Sequence, residues 1–233
     1  MWRNALVTGA NRGLGLEFAR HLVAAGTRVT ACCRQPSAAA ELQALASGNQ
    51  GRLRIEALDL AEPDAIDALA ARLAAERSSL DLLVNNAGVL VSGERFGKVR
   101  AAPLAESFAV NASAPLLLTQ ALAPLLERGH QPHVLCVSTQ IASIAQTSSF
   151  RTVSYAMSKV ALNMAVRRLA AALGPRGVCV IAVHPGWLRT RMGGDTASVE
   201  PGTAARLLLE LTARLGVDDG GGFYASDGTP IPW

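Results

Sequence analysis

The chain has 233 residues, 50% hydrophobic and 17% charged, with a net charge of +4. That balance excludes a disordered chain and leaves room for a sizeable α/β core, built mostly of Ala, Leu and Val because aromatics are only 4%. The basic residues are scattered rather than clustered, so nucleic-acid binding has no support, and no apolar run reaches the roughly 18 residues of a membrane span.

The opening residues run straight into an apolar strand, without the layout of a signal peptide. Residues 5–8 form that strand. Gly9, Ala10, Asn11, Arg12, Gly13, Leu14 and Gly15 follow, and residues 16–25 carry helical spacing. Strand, glycine turn and helix in this order let a backbone approach a pyrophosphate, with the helix N-terminus supplying N–H groups and a positive dipole. The spacing is Gly-x-x-x-Gly-x-Gly rather than the commoner Gly-x-Gly-x-x-Gly.

Residues 28–33 read as a second strand. An acidic residue near its end would hold the ribose 2′-hydroxyl of NAD; Arg34 stands there instead, and no Asp or Glu lies between Glu17 and Glu41. A guanidinium suits a 2′-phosphate, and Arg12 could add a second cation, so NADP(H) is favoured over NAD(H). The lesser alternative is that both arginines are merely solvated, with cofactor choice set elsewhere.

Residues 37–46 read as a helix and 53–58 as a third strand, closed by Asp59 and Leu60. Asp59 could accept a hydrogen bond from an adenine amino group, or could serve as a cap or turn residue. Residues 62–77 form an alanine-rich helix and 80–84 a fourth strand. Asn85, Asn86, Ala87 and Gly88 follow, either lying against a cofactor or making a plain turn. Residues 90–100 read as a loop, and 104–126 as a long helix broken at Asn111 and Pro115. An Asn there suggests a kink that frees backbone groups, where Asn111 could hold a water or cap one of two helices.

Residues 134–137 form a fifth strand ending in Ser138 and Thr139, hydroxyls at the end where α/β folds place chemistry. A helix over 154–173 carries Tyr155-x-x-x-Lys159. Side chains four apart share a helix face, and an ammonium beside a phenol is expected to lower the Tyr pKa from its usual value of about 10, making Tyr155 a proton donor and acceptor near neutral pH. A sixth strand spans 178–183, followed by His184, Pro185 and Gly186; His184 is given no catalytic role. A short loop, a helix over 202–215 and a last strand at 223–225 complete the chain. The four cysteines, Cys32, Cys33, Cys136 and Cys179, have no metal-ligand spacing and lie in strand-like runs. They read as small buried hydrophobes of a reducing, cytoplasmic compartment, with no metal expected. Strands alternating with helices, with no linker or repeat, predict an α/β Rossmann-type doubly wound parallel sheet of about seven strands, helices on both faces, over residues 1–233 as one domain.

Together, Thr8-Gly9-x-x-x-Gly13-x-Gly15, Asn85-Asn86-Ala87-Gly88, Asn111, the Ser138-Thr139 strand end, Tyr155-x-x-x-Lys159 and Pro185-Gly186 with Thr190 resemble the short-chain dehydrogenase/reductase family along the whole chain. The stretch from His184 to Gly194 and the tail resemble the subgroup containing C-factor and the sniffer-type carbonyl reductases, which are NADPH-linked. The resemblance implies that Tyr155 gives its proton to a carbonyl oxygen as hydride arrives from the nicotinamide. Lys159 would lower the Tyr pKa and hold the ribose, and Asn111 would order a water. Gly9, Arg12, Gly13 and Gly15, with Asn11 and Leu14 between them, would carry the phosphates. Asp59 and Leu60 would flank adenine, Asn86, Ala87 and Gly88 would pass the adenosine ribose, and Thr190, after Pro185 and Gly186, would bind the carboxamide or a phosphate. The family's serine aligns with Thr139, whose distance to Tyr155 suits this subgroup; Ser138 and Ser143 are the other candidates. The implied function is reduction of a small-molecule aldehyde or ketone, or the reverse, in a homodimer or homotetramer. A cofactor-binding signalling protein with little turnover is the alternative; an epimerase or dehydratase is a weaker one.

Overall fold

In the computed structural model, residues 2–76 and 79–233 are described. Among the described residues, seven strands and seven α-helices follow in this order: β1 Asn4–Thr8, α1 Gly13–Ala24, β2 Arg28–Cys33, α2 Ala40–Ser47, β3 Leu53–Ala57, α3 Pro63–Ala75, β4 Leu82–Asn85, α4 Ala101–Phe108, α5 Ala114–Leu126, β5 His133–Val137, α6 Val153–Leu173, β6 Cys179–His184, α7 Pro201–Arg214 and β7 Phe223–Ala225. The strands form one parallel sheet in the order β3-β2-β1-β4-β5-β6-β7. The order reverses between β1 and β4, registered Leu6 on Leu83, and a crevice opens at such a point beyond the strands' carboxyl ends.

Both faces of the sheet are covered, and the strand period shows how. Val7, Ala31, Val84, Leu135 and Ile181 point to one face, into a core with α1, α2 and α7. Their neighbours Leu6, Cys32, Leu83, Cys136 and Val180 point to the other, into a core with α3, α5 and α6. Strands buried on both faces read as continuous apolar runs, and so they do here. All four cysteines are free and buried among them.

Boundaries differ modestly from the sequence expectation. A single 3-10 turn, Pro36–Ala38, precedes α2, and the expected end of the helix after β3 at Arg77 lies outside the described residues. The stretch from Ala101 to Leu126 is long and apolar enough, by composition alone, to cross a membrane, which the sequence reading did not register. Here it lies over the sheet, with Leu118, Leu122 and Leu126 wholly buried, and a π-helical turn, Ala109–Ser113, divides it.

At the amino ends of the strands, away from the crevice, the buried Asp81 carboxylate accepts the N–H groups of Arg3 at 2.6 Å, Asn4 at 3.1 Å and His130 at 2.8 Å. Asp81→Ala leaves three main-chain donors without that acceptor, and is expected to lower unfolding free energy by about 3 kcal/mol in urea titrations.

Candidate active site

A cleft of about 1290 Å³ lies over the carboxyl ends of the strands. Its floor is the turn after β1. Gly13 opens α1 at φ +54°, and Arg12 at the cap position makes no side-chain cap bond. The first N–H groups of α1 are those a helix leaves without intrahelical partners, and here they border the cleft. A Cβ on Gly15 would lie 2.2 Å from the Gly9 carbonyl oxygen, so only glycine lets this turn close.

The turn is tied down from β4. Asn86 Nδ2 donates to the carbonyl oxygens of Thr8 at 2.9 Å and Gly9 at 3.3 Å, while Thr8 Oγ1 accepts the N–H groups of Asn86 and Ala87. The Asn86 amide thus serves the glycine turn, and Ala87 and Gly88 carry the chain along the cleft wall. Asn11, Leu14, Asp59 and Leu60 border the same end. Asp59 Oδ1 accepts the Ala61 N–H at 3.0 Å, the local turn bond that the sequence left open as one reading.

Arg34 is exposed at the end of β2, and both it and Arg12 face the cleft, as expected. Arg191 joins them, a residue the sequence reading passed over. Burial, and then the nearby charges of Arg191 and Arg34, push the Arg12 pKa down, so the three guanidiniums share one patch. Only the loop after β6 brings Arg191 there; no local signal marks it.

At the other end stand Tyr155 and Lys159. Lys159 is buried and donates to the Val137 carbonyl oxygen at 2.7 Å, with Nζ 5.8 Å from the Tyr155 ring centre. The expected lowering of the Tyr155 pKa is not found: burial pushes it up to about 12, and burial pushes Lys159 down to about 8. Removing solvent disfavours both charged forms, and the ammonium is tethered to the strand end instead of sitting on the phenol oxygen.

The native pKa of Lys159 lies below its unfolded value of about 10.4, so between pH 8 and 10 the unfolded chain binds more protons and this group's burial cost disappears as pH rises. The stability of the wild type relative to Lys159→Met should therefore rise across that window, by about 3 kcal/mol in urea titrations of the cofactor-free protein.

The three hydroxyl candidates separate. Ser138 is buried and donates to Asn163 Oδ1 at 2.7 Å, towards the core. Ser143 does not border the cleft; its hydroxyl is buried, with no partner among the described residues. Ser138 and Thr139 both border the cleft, but the Ser138 hydroxyl is committed to Asn163, whereas Thr139 is only partly buried. Successive residues of an extended strand face opposite ways, which divides Ser138 from Thr139.

Asn111 sits in the π-helical turn, wholly buried. Its Oδ1 accepts the Val89 N–H at 2.8 Å, and its Nδ2 donates to the Val89 carbonyl at 2.9 Å and to Ser158 Oγ at 2.9 Å. The kink is thus a π turn, a feature frequent at functional sites. Pro185, Gly186 and Thr190 form the opposite wall, with Thr190 Cγ2 3.3 Å from where a Cβ on Gly13 would be. His184 also borders the cleft, its Nδ1 buried without a partner among the described residues.

Residues 3–200 match the short chain dehydrogenase family. The chain belongs to that family. Its members are oxidoreductases that use a nicotinamide cofactor, and this chain is such an enzyme. The C-signal protein of Myxococcus xanthus is 37% identical over 66% of this chain and 93% of its own length. Among solved structures, an NADPH-bound carbonyl reductase from chicken fatty liver is 34% identical, with a TM-score of 0.94 over 100% of this chain and 99% of that one. The carbonyl reductase Sniffer of Drosophila melanogaster is 30% identical, also with a TM-score of 0.94, over 100% of both chains. The residues present fit the dehydrogenase cofactor: bare helix N–H groups and a glycine turn with no Cβ in the way, then a cationic patch at one end and the Tyr155 wall at the other.

Proposed function

We infer that this dehydrogenase is an NADPH-dependent carbonyl reductase, able to run in reverse as an alcohol dehydrogenase, with residues 1–233 acting as one cofactor-binding domain. The observation that carries this reading is that one cleft joins the Arg12, Arg34 and Arg191 patch to Tyr155 and Lys159. NADPH, when bound, supplies hydride to the carbonyl carbon.

Tyr155 gives its proton to the carbonyl oxygen. A phenol held up at about 12 stays protonated at neutral pH, ready for reduction rather than oxidation. Thr139, freed from the core bond that occupies Ser138, donates a hydrogen bond that orients the carbonyl. Lys159 braces the end of β5 and lies against Gly88, where a Cβ would be 3.8 Å from Nζ. Both amide hydrogens of Asn111 are committed, so it fixes the Val89 wall and can receive a water only on its oxygens. Gly9, Asn11, Gly13, Leu14 and Gly15 receive the pyrophosphate. Asp59 and Leu60 flank the adenine, and Asn86, Ala87 and Gly88 pass the adenosine ribose. Pro185, Gly186 and Thr190 close over the nicotinamide side. The three arginines meet the 2′-phosphate, which favours NADPH over NADH.

The relatives agree in kind: the chicken protein is described as NADPH-bound, and both solved relatives as carbonyl reductases. The test is NADPH oxidation by the purified protein against a panel of aldehydes, ketones and quinones. Turnover of at least one supports the reading. Tight NADPH binding without turnover on any of them overturns it, in favour of a sensor.

A further inference from the structure

Tyr155 stands in the first turn of α6, where a helix has unpaired N–H groups and frays most readily. The residue ahead of it offers no cap. Thr152 has φ +42°, and its side chain makes no cap bond. The cap arrives instead from the loop after β4, sixty residues earlier in the chain. One oxygen of Glu94 accepts the Ser154 N–H at 2.9 Å, and the other accepts the Ser154 hydroxyl. Glu94 is 9% exposed and Ser154 is fully buried. Close by, Phe96 of the same loop meets Phe150 edge-on at 5.6 Å, so the loop is joined to the entry of α6 by hydrogen bonds and to the segment before it by an aromatic contact.

We propose that Glu94 is a positioning residue for Tyr155: its buried carboxylate locks the first turn of α6 so that the phenol stays aimed into the cleft. This rests on Tyr155 being the proton donor. A carboxylate at a helix N-terminus meets the positive end of the dipole and takes charge-assisted hydrogen bonds. Burying a carboxylate is costly, and two donors from a single residue next to Tyr155 offset that cost in a way that a solvent-facing loop acid would not need. The same loop supplies Val89, Leu90 and Val91 to the cleft wall, so one contact sets both the wall and the phenol. A misplacement of about 1 Å at a reacting group can lower a rate by about 10²-fold.

The test has two arms. Amide hydrogen exchange, on the protein without cofactor or substrate, compares wild type with Glu94→Ala, Glu94→Gln and Ser154→Ala. Glu94→Ala should speed exchange across residues 153–158 by about tenfold or more and leave the sheet unchanged. Steady-state kinetics on a carbonyl found active should then show kcat falling about 10–100-fold, with the carbonyl KM and the NADPH Kd within about threefold. Glu94→Gln should recover most of kcat, because its amide oxygen accepts the Ser154 N–H while its NH₂ donates to the Ser154 hydroxyl. Ser154→Ala should fall between. Unchanged exchange at 153–158 in Glu94→Ala overturns the proposal, as does a kcat loss matched by an equal loss of NADPH affinity or by faster exchange everywhere. A wild type that turns over no carbonyl counts against the reductase reading alone, since the exchange arm still reports on the Glu94 lock.

Discussion

Replacing Tyr155 with Phe is expected to lower kcat for carbonyl reduction by about 10²–10⁴-fold, the range for a lost general acid. The substitution removes one hydroxyl from a wall otherwise held by Lys159 on Val137 and Asn111 on Val89, so the cleft keeps its shape. NADPH should bind within about threefold of wild type, read by quenching of the exposed Trp187 at the cleft edge, because the cationic patch and the glycine turn are untouched. A variant that keeps most of its kcat would show that the proton comes from elsewhere. One that loses NADPH binding in step would show that the phenol holds cofactor rather than substrate. The pH dependence carries a second signature. With the phenol held at about 12, its proton stays in place well above neutral pH, so the wild-type reduction rate should hold from about pH 7 to pH 9, and a loss through about pH 8 would report the Lys159 ammonium instead.

Most of the architecture was legible because it is written in local periodicity. Strands buried on both faces appear as short apolar runs, the helices between them as longer periodic segments, and their alternation leaves a parallel sheet as the solution. The glycine turn, Asn86 and the Tyr155–Lys159 spacing were legible for the same reason, each being a local pattern set at the end of a strand or on one helix face. What stayed hidden depends on contacts between distant segments. Spacing places Lys159 next to Tyr155, but only the fold shows that its Nζ is tied to Val137, which turns an expected acidification into a rise through burial. Spacing cannot separate Ser138 from Thr139; Asn163, on the helix that carries Tyr155, does that by capturing Ser138. The break at Asn111 was foreseeable from Pro115, but its form, a π turn whose asparagine clamps Val89 and Ser158, was not. Arg191 and Glu94 carry no motif at all. Arg191 matters through the arginines it joins at the cleft and Glu94 through the buried Ser154 it caps, and composition records neither.

The second large effect concerns the cofactor. Arg34→Asp is expected to lower the ratio of kcat/KM for NADPH over NADH by about 10²–10³-fold. One charge-assisted contact to a phosphate is worth about 1.5–3 kcal/mol, and the new carboxylate adds repulsion of the 2′-phosphate while offering an acceptor to a 2′-hydroxyl. The crowding of Arg12 by Arg191 and Arg34 gives this expectation its structure: three cations held close together oppose one another until an anion arrives, so removing one relieves the other two. Arg191→Ala, at the other edge of the patch, should therefore lower the NADPH preference by only about tenfold, since Arg12 and Arg34 remain. Because these side chains are exposed, the NADPH advantage should also shrink as salt is raised, whereas NADH kinetics should hardly change. Measuring kcat/KM for both cofactors at two salt concentrations, in wild type and both variants, separates the alternatives. If Arg34→Asp leaves the ratio unchanged, these arginines are solvated surface charges, and cofactor choice is made elsewhere in the cleft.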